Sequence, residues 1–154
     1  MIEISQDSIT MTIPGIPVQK QRHRFARKTG HAYDPNRDAE AVVIGRMNVP
    51  EDFVPWDGPV LVESMIFVFP RPKSHYGTRK NAHVIKKSAP KYADSILKDI
   101  DNLEKFYLDA MNGVVYMSDK QIVCVREKWK IWCNEGEIPH VLIKMRRLSH
   151  SFTT

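Results

Sequence analysis

Residues 60–69 read VLVESMIFVF, an apolar run interrupted only by Glu63 and Ser64. A run of this length without strict alternation is typical of a strand that is buried on both faces inside a sheet. Pro59 precedes the run and Pro70 follows it, so both ends carry residues that interrupt regular structure. We therefore predict that residues 60–69 form the central strand of the fold.

The segments before and after this strand predict one further strand and two helices. Residues 8–13 alternate between polar and apolar side chains, which indicates a strand. Residues 35–48 follow Asp34, a good N-cap, and predict a helix. Residues 101–112 place their apolar side chains on one stripe and begin with Asp101-x-x-Glu104, a capping box, so they predict the second helix.

The C-terminal part predicts two more strands. Residues 121–132 and 138–145 both alternate, and Asn134-Glu135-Gly136 between them is typical of a turn. The first of these strands would place four apolar residues on one face: Val123, Val125, Trp129 and Ile131. We predict an α+β fold with a mixed sheet, two main helices and a C-terminal β-hairpin.

Composition indicates a folded protein. A length of 154 residues predicts a single domain over residues 1–154, and 42% apolar with 27% charged residues is ordinary for globular proteins.

The N-terminus has no signal-peptide pattern, and no apolar run is long enough to span a membrane, so we expect a cytoplasmic protein. Cys124 and Cys133 show no zinc-site spacing and are expected to be idle thiols.

Positive charge is concentrated in two segments. Residues 18–37 carry a net charge of +5 and residues 70–98 a net charge of +7, so the rest of the chain is net negative. We interpret two basic loops, at about residues 14–34 and 70–98, as a phosphate-binding surface, although basic loops are often only solvated. The second is expected to order on its ligand. The candidate DNA-binding residues are Lys20, Arg22, Arg24, Arg27, Lys28, Arg71, Lys73, Arg79, Lys80, Lys86 and Lys87.

A cluster of acidic residues stands out in this basic chain. Asp99 and Asp101 flank the start of the second predicted helix, Asp109 lies on the same face as Lys105, and Asp119 follows a short connection. Carboxylates of this kind suit Mg²⁺ or Mn²⁺, which promote phosphodiester hydrolysis, and Lys105 would contact the phosphate. The alternative is an ordinary solvated helix face with an aspartate cap. No nucleotide-binding loop or histidine metal motif is present, so no nucleotide cofactor is expected.

The chain resembles the RusA-type Holliday junction resolvases, small dimeric endodeoxyribonucleases of phage and prophage origin. The resemblance rests on the ordered motif Asp99-x-Asp101-Asn102-x-x-Lys105 and the downstream Asp119-x-Gln121, and it extends over roughly residues 10 to 145. It implies that Asp99, Asp101 and Asp119 are metal-binding catalytic acids and that Lys105 is an essential catalytic lysine. The chain departs from the family in having Lys98 before the first aspartate and a long preceding loop.

These observations lead to one main hypothesis. We expect a Mg²⁺-dependent endodeoxyribonuclease, with Mn²⁺ as a possible substitute, that resolves four-way DNA junctions by paired symmetric nicks. It would act in DNA recombination and repair as a homodimer, in a bacterial or phage-infected cell and without membrane contact. The alternatives are a non-catalytic module that binds branched or duplex DNA and a structural protein whose charges are only solvated.

Overall fold

The computed structural model describes residues 1–22, 24, 25, 30 and 32–150, with the backbone alone for residues 24, 25 and 32. The strands are β1 (Ile2–Ile4), β2 (Ser8–Pro14), β3 (Arg24–Phe25), β4 (Ala32–Tyr33), β5 (Val60–Phe69), β6 (Ile122–Trp132) and β7 (His140–Arg147), and the helices are α1 (Arg37–Met47) and α2 (Ile100–Ala110). Neither of these two helices, nor any other described segment, is a helix of the length and apolarity that crossing a membrane requires.

Strand β5 lies inside a five-stranded mixed sheet of order β1-β2-β7-β5-β6. It pairs in parallel with β6 on one side and antiparallel with β7 on the other. The predicted central strand and the α+β class with a mixed sheet are therefore confirmed. The predicted C-terminal hairpin is wrong, because β5 is inserted between β6 and β7 and the two do not pair with each other.

Helix α2 packs against the sheet through the apolar stripe seen in the sequence. Leu103, Phe106, Tyr107 and Ala110 are each at most 2% exposed, and they join the core formed by the inward residues of β2, β5 and β7. The opposite side of the helix, with Lys105 and the aspartates, is left outside this core. Packing of the stripe thus fixes which way the charged residues point.

Both helices begin differently from the prediction. Asn36, not Asp34, is the N-cap residue of α1, and its buried side chain bonds to both backbone groups of Gln21 instead of to the helix. Helix α2 is capped by Asp99, whose Oδ1 accepts the backbone N–H of Asp101 at 3.2 Å. The predicted capping box from Asp101 is wrong, since Asp101 is already inside the helix.

The segment from residue 70 to residue 98 has little regular structure, apart from two short 3₁₀ turns, but it is held at both ends. The Arg71 guanidinium donates to the carbonyl oxygens of Cys133 at 2.7 Å and of Pro90 at 2.6 Å. At the other end, the Lys98 ammonium donates to the Pro17 carbonyl at 2.6 Å. The loop predicted to order on its ligand therefore has anchors within the chain itself.

The turn between α2 and β6 is braced by one side chain. Gln121 donates through Nε2 to the carbonyl oxygens of Trp56 and Gly58, both at 2.8 Å, and its Oε1 accepts the Ser118 backbone N–H at 2.8 Å. The Ser118 hydroxyl accepts the Lys120 backbone N–H in return. Gln121 thus ties the turn that carries Asp119 to the residues that lead into β5.

We predict that Gln121→Ala lowers the free energy of unfolding by about 2–3 kcal/mol, because three hydrogen bonds are lost in a partly buried place. Urea unfolding followed by circular dichroism measures the loss. Gln6→Ala is the matched control, since Gln6 is exposed, and a change within about 0.5 kcal/mol is expected there. Equal stability of the two variants would show that the brace has no energetic role.

Candidate active site

A polar cavity of about 600 Å³ lies beside the outer face of α2. Helix α2 contributes Asn102, Lys105 and Asp109 to its wall, and Asp119 joins them from the following turn. The remaining lining residues are Lys20, Gln21 and Arg22 from the first basic segment. We call this the site cavity. It brings the predicted catalytic residues Lys105 and Asp119 together with part of the predicted DNA-binding segment.

The basic wall of the site cavity is fixed to α2 by backbone contacts. The Lys20 N–H donates to the Asn102 carbonyl at 2.8 Å, and the Val18 N–H donates to the Tyr107 hydroxyl at 3.0 Å. Burial raises the pKa of Tyr107 to about 12, so this hydroxyl stays neutral at physiological pH. The first basic segment, which we predicted to be a loop, is thus hydrogen-bonded to α2 at Val18 and Lys20.

Lys20 is the counter-ion of Asp109 and Glu40. Its ammonium lies 2.5 Å from Asp109 Oδ2 and 3.8 Å from Glu40 Oε1 on α1. Partial burial disfavours the charged ammonium, but the hydrogen bond to Asp109 and the negative charges of Asp109 and Glu40 outweigh it and raise the pKa of Lys20. Lys20 therefore forms ion pairs with protein carboxylates, whereas we predicted from the sequence that it binds DNA.

Asp119 and Asp109 both act electrostatically on a buried tyrosine, Tyr116. Burial and then the negative charges of Asp119 and Asp109 raise the pKa of Tyr116 well above its usual value, so both carboxylates are within electrostatic reach of its phenol. The Tyr116 hydroxyl donates to the Leu108 carbonyl. Because its pKa is raised, the Tyr116 phenol stays neutral and adds no charge to this group of residues.

Asp99 and Asp101 stand at the N-terminal end of α2 and are absent from the described lining of the site cavity. Asp99 is exposed and occupied with capping. Asp101 has a side chain that is 74% exposed, and its Oδ1 lies 3.3 Å from the Lys128 ammonium on β6. Lys128 also contacts Glu104 Oε2 at 2.7 Å. The four aspartates therefore fall into two neighbourhoods, each with its own lysine.

The carboxylate oxygens of these aspartates suit a hard divalent ion, although the described structure does not bring them together into a preformed metal site. Across residues 1–150, excluding those the structure leaves undescribed, no three Asp, Glu, His or Cys side chains are arranged to hold a metal ion. Mg²⁺, however, retains most of its water and is usually bound by one or two carboxylates. Asp99 and Asp101 supply two carboxylates at the start of α2, and Asp119 supplies one at the site cavity, so the residue types fit such an ion. The ligand set of Asp99, Asp101 and Asp119 stays a prediction.

The predicted DNA-binding residues differ in exposure and in whether they are already bonded within the protein. Lys73, Arg79, Lys80, Lys86 and Lys87 are exposed along the loop before α2. Arg22 lines the site cavity, whereas Arg71 is committed to two backbone carbonyls. Arg27 and Lys28 lie outside the described residues, as does the side chain of Arg24. The exposed lysines of the second loop are thus the best placed to meet phosphate.

Sequence reasoning missed several residues that shape this region. Glu40 and Lys128 are ordinary charged residues in the sequence, and neither spacing nor motif connects them with the aspartates. Tyr107 is part of the apolar stripe, but its hydroxyl is the group that fixes Val18. No signal in the sequence could have identified these partners, because they come from parts of the chain that only the tertiary structure brings together.

Comparison with known proteins gives one family match and one curated relative. Residues 14–146 match the family described as Endodeoxyribonuclease RusA. A curated relative, the Uncharacterized protein YqaN of Bacillus subtilis (strain 168), is 27% identical over 149 residues, which cover 93% of this chain and 99% of that protein. The family match includes the site cavity, both basic segments and the acidic end of α2. The chain belongs to the RusA endodeoxyribonuclease family.

Proposed function

We propose that this protein is a divalent-metal-dependent endodeoxyribonuclease that resolves four-way DNA junctions by paired nicks. The observation that carries the proposal is the site cavity, in which Lys105 and two aspartates stand against a basic wall in a chain of the RusA family. Acids for metal ions beside cations for phosphate are the combination that hydrolysis of a polyanion requires. Family membership supports the endodeoxyribonuclease activity.

Each group of the site has a distinct task in this proposal. Asp99, Asp101 and Asp119 would hold Mg²⁺, or Mn²⁺ in its place, and a bound divalent ion acidifies water and neutralises charge on phosphate. Lys105 is exposed at the cavity wall and has no carboxylate partner among the contacts of the described residues, so its ammonium is available to a phosphate oxygen. Asn102 and Asp109 complete the wall on the same helix.

The neighbouring basic groups would position the DNA. Arg22 lies at the cavity, on a segment that the Lys20 N–H binds to the Asn102 carbonyl of α2. The second loop carries the exposed lysines and runs directly into α2, where Lys98 donates to the Pro17 carbonyl of the first segment. Because both basic segments lie next to α2, DNA bound by them would pass close to the carboxylates of that helix. Symmetric cutting of a four-way junction further requires two sites related by a two-fold axis, so we propose a homodimer that acts on branched DNA in the cytoplasm.

We predict that Asp101→Asn lowers nicking of a labelled synthetic four-way junction in Mg²⁺ by at least about 100-fold, since a ligand of the activating ion is lost. Denaturing gels of the 5′-labelled strands measure the paired nicks. Junction binding, followed by gel shift in EDTA, should remain, because Asp101 repels phosphate and contributes nothing to DNA affinity. The matched control is Asp94→Asn, which changes an exposed aspartate just upstream and should cut normally.

Unchanged nicking by Asp101→Asn would refute the assigned chemistry. A different result would favour the other class of function. If the unaltered protein shifts the junction in EDTA and produces no nick with Mg²⁺ or Mn²⁺ at any concentration, the chain is a binding module and the acids serve structure alone.

The second loop gives a separate prediction about affinity. Replacing Lys86 and Lys87 together by Gln should weaken binding to all DNA sequences alike and reduce the slope of log K against log salt by about 2, because two phosphate contacts are lost. Fluorescence anisotropy at several salt concentrations measures this slope. Lys144→Gln is the control for loss of charge, since Lys144 is exposed on β7, where it pairs with Thr10 of β2. An unchanged slope in the double variant would exclude this loop from the DNA surface.

A further inference from the structure

Lys128 reaches from the sheet to the acidic end of α2. In the register of β5 and β6 it pairs with Met65, which is fully buried, so its side chain rises from the face that α2 covers. Its neighbour Trp129 pairs with Ile66 and stacks on Tyr92 instead. Among the described contacts of β6, those of Lys128 are the ones that meet the carboxylates of α2.

The two partners of Lys128 are held unequally. Glu104 is the closer one, at 2.7 Å, and its side chain is only 19% exposed. Asp101 is farther, at 3.3 Å, and its side chain is 74% exposed. The hydrogen bond to Glu104 raises the pKa of Lys128 despite partial burial, and Asp101 acts more weakly in the same direction. Lys128 is thus anchored on Glu104, whereas Asp101 is easily released to water or to another cation.

This asymmetry matters because Asp99, Asp101 and Glu104 crowd negative charge at one helix end. The positive end of the helix dipole favours the first two, but it falls off within the first turn. A nearby ammonium reduces the remaining repulsion when no metal ion is present. The same positive charge opposes an arriving divalent cation, since both seek the Asp101 carboxylate.

We propose that Lys128 is a resident counter-cation that holds Asp101 in the metal-free protein and competes with the divalent ion for that carboxylate. The inference rests on the proposed function, in which Asp101 is a metal ligand. When metal binds, Asp101 turns away from Lys128, and Lys128 keeps its contact with Glu104. Lys128 is therefore a positioning residue that sets the metal concentration at which the site fills, and it does not touch the DNA phosphate.

Metal binding by the protein without DNA tests this directly. Mn²⁺ is titrated into the metal-free full chain, and free Mn²⁺ is followed by electron paramagnetic resonance. Lys128→Met should bind Mn²⁺ about three- to tenfold more tightly, because one positive charge next to a divalent ion is removed in a partly exposed place. Lys128→Arg keeps the charge and should stay within about twofold of the unaltered protein. Thermal unfolding confirms that each variant is folded, since Met retains the buried stem.

Two further variants separate the possible sources of a change. Lys144→Met removes one positive charge elsewhere on the sheet and should leave Mn²⁺ affinity unchanged; tightening as large as that of Lys128→Met would overturn the proposal in favour of net charge. Lys128→Met combined with Glu104→Gln should keep the tighter binding. Loss of the gain in that double variant would also overturn the proposal, because it would show that a freed Glu104, not Asp101, binds the ion.

The failure of this inference and of the proposed function give different results. If Asp101→Asn weakens Mn²⁺ binding while Lys128→Met leaves it unchanged or weaker, the counter-cation role is refuted and the metal role of Asp101 stands. If Asp101→Asn alters neither Mn²⁺ binding nor nicking, the proposed function fails and the role of Lys128 fails with it.

Discussion

Strand β5 has backbone neighbours on both sides, and the remaining structure depends on that pairing. Because β6 runs parallel to it and β7 antiparallel, the chain must leave β5, build the long loop and α2, and return beside β5 in the same direction. The return path carries α2 across one face of the sheet, where its apolar stripe is buried. The turn that carries Asp119 is consequently placed beside Asp109 on the second half of α2, whereas Asp99 and Asp101 lie at the start of the helix.

Repulsion between carboxylates is the second constraint, and two lysines from distant parts of the chain relieve it. Lys20 comes from the segment after β2 and pairs with Asp109 and Glu40, whereas Lys128 comes from β6 and pairs with Glu104 and Asp101. Each lysine is also tied to a regular element, so its position is fixed with that of the helix. The acids on and around α2 are therefore compensated by ion pairs within the chain.

Two of the motif residues have structural tasks. The Gln121 amide braces three backbone groups around the turn that bears Asp119. Asp99 caps α2 through its carboxylate, which orients the helix end and leaves one oxygen for other contacts. Both residues therefore help to position the helix and the turn that carry the other motif side chains.

The sequence alone determined the features that depend on local patterns. Burial of β5 follows from its continuous apolar run, the face of α2 from its stripe, and the family from the ordered aspartates, lysine and glutamine. Only the tertiary structure decided which strands pair, which aspartate caps α2, and which lysine neutralises which acid. These are contacts between residues far apart in the chain: Lys20 meets Asp109, and Lys128 meets Asp101. Alternation indicates that a strand exists but carries no information about its neighbour, which is why β6 and β7 looked like a hairpin.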